Sequence, residues 1–372
     1  MARRETALLR DILRSLRSGE FTGTASWDLL IRQARKAGLL ARLGLEFERA
    51  GLLPAVPARV RAHLDADLNL ADQQIRDVHR EVRAIRAALS KAEIPFVLLK
   101  GAAYVLAGLP AARGRIFNDI DIMVSRDDLI AAEKALLRAG WLGGNLEPYD
   151  EQYYRLWMHQ IPPMTHVTRG TTVDVHHSIV APTRRLSLDS AKLFASAVES
   201  PTDPLIRFLA PADMVLHSAA HLLTEGNFDR GLRDLDDINL LLRHFGGDPG
   251  FWPMLVERAA ELDLRRPLFY AFRYASAFLG TKVPEAYLQS RLLAPPGPFL
   301  RGLADPLFEQ AFRPRHPSCQ GNLSGLASAI LYLRGHYLLM PLPMLVPHLW
   351  RKTLKSFREE EEETVPVLDM QP

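Results

Sequence analysis

The chain has 372 residues, 48% of them apolar and 24% charged, with a formal net charge of +3 and a pI near 9.0. That length can hold two or three domains and a sizeable core, while so small a net charge argues against nucleic acid as the main partner. Cys319 is the single cysteine, which excludes an intrachain disulfide and any zinc site built from several thiolates.

The opening MARRETALLRDILRSLRSGE alternates charge with Leu and Ile and lacks the continuous apolar run of a secretory signal, so a cytoplasmic protein is expected. Residues 1–90 read as a helical region. Leu8, Leu9, Ile12 and Leu16 recur at helical spacing, as do Leu29, Leu30, Ala34 and Leu39. Ser26-Trp27-Asp28 is a helix start, and a longer helix is expected over 57–92. An α/β core is expected over 91–200: a strand at Phe96, a helix, a second strand carrying Asp119 and Asp121, a helix over 127–140, an irregular stretch and a third strand at 171–176. Pro201 and Pro204 mark a boundary. A helical domain is expected over 201–357, with helices at 211–223 and 233–245 and a break at 294–298, then an acidic solvated tail over 358–372.

The stretch FVLLKGAAYVLAGLPAARGRIFNDIDIMV carries the chemistry. In a strand, Asp119 and Asp121 project from one face while Ile120 and Ile122 enter the other. Two carboxylates held side by side repel each other unless a cation lies between them, and hard oxygens suit Mg²⁺. The glycine turn at Gly101 lets backbone amides approach an anion. Further on, TTVDVH is a β-branched strand with Asp174 as its one carboxylate and His176 on the same face. Two-metal phosphoryl-transfer sites draw their carboxylates from more than one strand.

LLKGAA, RxxNDIDIMV and VDVHHS together resemble the DNA polymerase β-type nucleotidyltransferase superfamily. The closest likeness is to its poorly characterised bacterial branch, often described from polysaccharide or natural-product gene neighbourhoods. WDLLIRQARKAGLLARL and HSAAHLLTEGNFDRGLRDLDDINLLL extend the likeness over roughly 20–245. The resemblance implies an α+β fold: a small, mixed, twisted sheet as nucleotidyltransferase core, flanked by N-terminal and C-terminal helical regions. It implies catalytic and metal-binding roles for Asp119, Asp121 and Asp174, with two Mg²⁺ ions expected and Mn²⁺ as an alternative. Lys100, Gly101, Ala102 and Arg115 would bind the nucleotide, and His176, Arg233 and Asp237 the substrate. The wider superfamily usually has Gly-Ser or Gly-Gly where this chain has Gly101-Ala102, which removes a possible hydroxyl contact to phosphate.

The implied reaction moves a nucleoside monophosphate from a triphosphate such as ATP to a hydroxyl on a small molecule, glycan or peptide, with release of pyrophosphate. Alternatives are an enzyme adding AMP to protein hydroxyls and a nucleotide-binding scaffold without turnover. Nucleic-acid synthesis would call for a basic stripe with stacking aromatics, whereas the arginines here are dispersed among acids. Two readings stay open for Lys100, phosphate contact or a solvent-exposed strand end. Arg115 could bind phosphate or pair with Asp119 or Asp121. His217 and His221 are expected to be helix histidines lining a domain interface, Arg233 and Asp237 could pair on one helix, and Asp234 and Asp236 are expected to be solvated. The apolar, proline-interrupted 323–355 is expected to pack as core, with membrane-surface contact as the alternative.

Overall fold

The computed structural model describes residues 8–24, 26–144, 147–181, 188–200, 203–340, 343–347 and 349–351. The acidic tail, Lys352 and Lys355 lie outside the described residues. Helix α1 (Leu8–Ser18) buries Leu9, Ile12, Leu13 and Leu16. Helix α2 (Trp27–Ala37) ends at Gly38, whose φ of 67° suits a residue without Cβ. After α3 (Leu40–Arg49), Pro57 opens the 33-residue α4 (Ala58–Ser90), which spans about 50 Å at 1.5 Å per residue. Its inward stripe of Leu64, Ala71, Val78, Val82, Ile85 and Leu89 has helical spacing.

The core follows as β1 (Val97–Leu98), α5 (Lys100–Leu106), β2 (Asp119–Met123), α6 (Leu129–Arg138), β3 (Trp141–Gly143), α7 (Pro148–Trp157), β4 (Met164–His166), β5 (Thr172–His176), α8 (Ser190–Ser196), β6 (Val198–Ser200) and β7 (Asp203–Phe208). Among the described residues these strands form one mixed sheet in the order β3-β4-β5-β2-β1-β7-β6. The pairs β2–β5 and β1–β7 are parallel, and the other neighbours are antiparallel. The α+β class expected from the sequence is therefore observed. Two features differ from the sequence reading. The stretch expected to be irregular contains β3, α7 and β4, and the sheet takes β7 from beyond Pro201.

Helices α9 (Pro211–Thr224), α10 (Gly231–Phe245), α11 (Phe251–Glu261) and α12 (Arg265–Leu279) come next. They precede α13 (Glu285–Leu288), α14 (Pro298–Ala311) and α15 (Ser324–Leu339). Helix α9 packs on α10, α11 and α12, while α12 also packs on α1 and α10 on α2, so the helices that flank the sheet meet each other. The expectation that 323–355 packs as core holds for only one face of α15, the longest described part of that segment: Ala327, Leu331, Gly335 and Leu339 are buried, while Leu326, Ile330 and Leu333 are exposed. No helix among the described residues is long and apolar enough to cross a membrane.

Candidate active site

Parallel pairing of β2 with β5 sets Asp121 directly opposite Asp174, with Asp119 opposite Thr172 and Met123 opposite His176. The alternation of the strand does the rest. Ile120 and Ile122 are buried on the far side of β2, and the carboxylates share the near side. They form the floor of a cavity of about 260 Å³ whose walls come from α5, α9, α10 and the segment after α7. Lys100, Arg115, Asp119, Asp121, Asp174, Arg233 and Asp237 all line it. Gly101 and Ala102 are buried and do not, and neither does His176.

Lys100 begins α5 with a φ of 41°, uncommon for a residue with a side chain. Its Nζ lies 3.4 Å from Asp121 Oδ1. Lys100 is therefore an ion-pair partner inside the cleft and not a solvent-exposed strand end. Burial would lower its ammonium, but the carboxylates of Asp121, Glu225, Asp119 and Asp174 outweigh that and raise it. Asp121 shows the converse balance. Burial alone would raise it, and Lys100 together with the imidazole of His176, whose Nε2 donates across 3.0 Å, holds it well below the ordinary carboxylate range. His176 is fully buried beneath Asp121, where burial lowers its basicity. In this structure His176 hydrogen-bonds the carboxylate of Asp121 and does not line the cavity.

In Asp174 the compensation from Lys100 and Gln160 is the weaker side of the balance. Burial, Asp121 and Asp119 push its carboxyl up to about 7. Its Oδ2 accepts only a long 3.5 Å bond from Gln160 Nε2, and its Oδ1 is buried with no hydrogen-bond partner. A buried carboxylate oxygen without a donor is costly unless a cation completes it. Ligand atoms of Asp121, Asp174 and His176 lie within 4.8 Å of one another, a grouping that fits a divalent metal. Asp119 stands at the exposed end of β2 and is outside that grouping. Burial and then Asp121 raise its carboxyl.

Arg115 pairs neither with Asp119 nor with Asp121. Its Nε donates to Asp237 Oδ2 at 3.0 Å. Arg233 does not pair with Asp237 either: it binds Asp234 at 2.7 Å, and Asp237 is shared between Arg115 and Arg42. Asp236, expected in solvent, is wholly buried between Arg17 and Arg42. Gly101 is explained by this packing: a Cβ there would collide with Arg115 Nη1 and approach the Phe117 ring to 2.7 Å. Gly101→Ala is expected to displace Arg115 and to cost about 1–3 kcal/mol of stability, measurable by urea denaturation. A melting curve and cleft affinity equal to wild type would show that Arg115 is free to move.

Sequence reasoning did not single out Glu225, His159 or Gln160 as site residues. Glu225 Oε1 lies 2.7 Å from His221 Nδ1 and 4.0 Å from His159 Nε2. Burial would raise Glu225, but His221, Lys100 and His159 lower it to about 2. The available signal was the spacing His217, His221, Glu225, one residue per turn along a single helix face. His159 and Gln160 had none, because they reach the site only through the bridge of Gln160 to His176 and the bond from His177 N to His159 O.

A family model described as "Uncharacterised nucleotidyltransferase" matches residues 23–280 of the chain. No curated protein and no solved structure matches it.

Proposed function

The chain belongs to this uncharacterised nucleotidyltransferase family, and on that premise we propose that it moves a nucleoside monophosphate from a nucleoside triphosphate to a hydroxyl acceptor. The observation that carries the reading is the opposed pair Asp121 and Asp174, with Asp174 Oδ1 buried and partnerless. Mg²⁺ bound there would screen the triphosphate and stabilise charge on the departing pyrophosphate. Asp121 and Asp174 would hold it, with Asp119 at the mouth as the further carboxylate of a two-ion site.

Bond making and breaking follow simply. The acceptor oxygen attacks the α-phosphorus, the bond to the bridging oxygen of the β-phosphate breaks, and pyrophosphate leaves. The hydroxyl proton would pass to the carboxylate of Asp174, which lies opposite Asp121 at the floor of the cavity. His176 keeps Asp121 oriented from below. Lys100 supplies positive charge beside Asp121, and Arg115, held by Asp237, supplies it on the α10 side. Gly101 would act indirectly, its missing Cβ leaving room for Arg115 at the cleft. Arg233 would face the acceptor, a small molecule, glycan or peptide. In this reading 91–200 is the catalytic unit, 1–90 its helical support and 201–357 the opposite wall of the cleft. The cytoplasm, with its nucleotide pool, is the compartment the reaction requires.

The test is calorimetric titration with non-hydrolysable ATP, CTP, GTP and UTP analogues plus Mg²⁺, on wild type and on Asp119→Ala/Asp121→Ala. Binding is expected in the wild type and absent in the double variant, and the preferred base then directs the acceptor search. A folded wild type that binds none of the four would overturn the proposal.

A further inference from the structure

We propose that Arg230 binds the outer phosphates of the nucleoside triphosphate at the mouth of the cleft, and so selects a triphosphate over a monophosphate. This role rests on the nucleotidyl-transfer reading and falls to a residue outside the motifs around Asp119 and Asp174. Three guanidinium groups gather where α10 meets the segment leading into β2. Arg115 binds Asp237 at 3.0 Å, and Arg233 binds Asp234 at 2.7 Å. Arg230, in the turn before α10, has no carboxylate partner among the described residues. Its Nη1 donates across 3.1 Å to Oδ1 of Asn118, a neutral side chain. The carboxylate beside it in sequence, Asp229, is turned instead to Arg315 at 2.5 Å.

Packing brings Arg230 against a second cation. A Cβ at Gly38 would lie 3.6 Å from Arg233 Cδ and 3.8 Å from Arg230 Cδ, so both stems cross the same glycine at the end of α2. Like charges gathered in a partly buried place repel unless an anion joins them. Burial and then Arg233 act against the charge of Arg230, with Arg115 adding to them, and together they outweigh Asp234 and Asp119 and lower it. At Arg115 the outcome is the reverse, since Asp237 and Asp234 outweigh burial and raise it. Arg230 remains a cation at neutral pH all the same, and an anion is what its position lacks. Location says which anion. Asn118 lines the cavity and precedes Asp119, the exposed first residue of β2, while Arg230 stands at the rim outside the lining. Extended backbone puts Asn118 about 10 Å from Asp121. The α-phosphate reacts over Asp121 and Asp174 at the floor, so the phosphates that reach back to the mouth are the β and γ pair. A guanidinium suits them, because its planar fork takes two phosphate oxygens at once.

The test is calorimetric titration in Mg²⁺ of wild type, Arg230→Gln and Arg230→Lys. The probes are a non-hydrolysable triphosphate analogue, the matching nucleoside monophosphate and inorganic pyrophosphate. Glutamine can keep the bond to Asn118 without the charge, and lysine keeps the charge without the fork. Arg230→Gln is expected to weaken the triphosphate analogue and pyrophosphate about tenfold or more, and Arg230→Lys to weaken them less. Monophosphate affinity and the melting curve should be unchanged in both. An Arg230→Gln variant that binds the triphosphate analogue as tightly as wild type would overturn the proposal. Equal losses for triphosphate and monophosphate would do so too, by reducing Arg230 to a tie between α10 and Asn118. Wild type that binds pyrophosphate but no nucleotide, with pyrophosphate lost in Arg230→Gln, would sink the transfer reading while keeping the anion at Arg230. Wild type that binds neither would overturn both.

Discussion

Asp174→Asn is expected to act in two opposite directions, stabilising the metal-free protein and removing Mg²⁺-dependent transfer. The wild-type carboxylate is buried beside Asp121 and Asp119, and its pKa is raised from 3.8 to about 7. A group raised in the folded state favours folding fully below its unfolded value, and that contribution is lost as pH rises through the folded value. The metal-free wild type should therefore lose stability from Asp174 between pH 3.8 and about 7, then hold level. An asparagine carries no charge to bury, so at pH 8 the variant should be more stable by about 1–3 kcal/mol. The amide can keep the Gln160 contact, which limits any loss of packing. Mg²⁺ should reverse the ranking. It stabilises whatever it binds by RT ln(1 + [L]/Kd), about 2.7 kcal/mol at a hundredfold excess over Kd, and the variant lacks one of the oxygens that would hold it. Transfer should fall on the order of 10³-fold or more. Melting temperatures at pH 5 and pH 8, with and without Mg²⁺, decide the matter. A less stable variant at pH 8 without metal, or a wild type indifferent to Mg²⁺, would remove the metal-site assignment.

The same residues show what a sequence can and cannot carry. Asp119 and Asp121 were legible because strand alternation is local, and Asp174 because a single carboxylate interrupts a β-branched run. Their direct opposition was not, because the β2–β5 register joins segments separated by α6, β3, α7 and β4. Strands β3 and β4 escaped notice for a related reason. WLG and MTH are three-residue pieces with too little pattern to read, and they become strands only by pairing with each other and with β5. Asp236 is the clearest failure of local reading. A run of Arg and Asp on a helix reads as a solvated face, yet its partners Arg17 and Arg42 are 219 and 194 residues away.

Asp236→Ala should be among the most destabilising single changes in the molecule, by about 3–5 kcal/mol. Arg17 grips both oxygens of Asp236, Nη1 at 2.5 Å and Nη2 at 3.1 Å, while its Nε reaches Glu46 at 2.6 Å. Arg42 adds Nη1 at 3.2 Å to Asp236, binds Asp237 through Nη2, and donates to Ala111 O. Asp237 passes the chain of pairs to Arg115. The buried guanidinium groups of Arg17, Arg42 and Arg115 thus alternate with the carboxylates of Glu46, Asp236 and Asp237, and the more exposed Arg49 adds a further pair to Glu46 at the outer end. Those six groups are buried, so none can turn to water when a partner is lost. Truncating Asp236 leaves Arg17 with Glu46 alone and Arg42 with Asp237 alone, and removes the carboxylate that separates the two like charges at low dielectric, which is far worse than losing a surface pair. Asp237→Asn should separate stability from function. It leaves the Arg17–Asp236–Arg42 pairs in place, so the stability loss should be smaller, but it loosens Arg115 at the cleft and should weaken triphosphate analogue binding more than Asp236→Asn does. Urea denaturation gives the first quantity and calorimetry the second. A loss below about 1 kcal/mol for Asp236→Ala would mean that water reaches this array in solution, and that α1 and α3 are not clamped to α10 by charge.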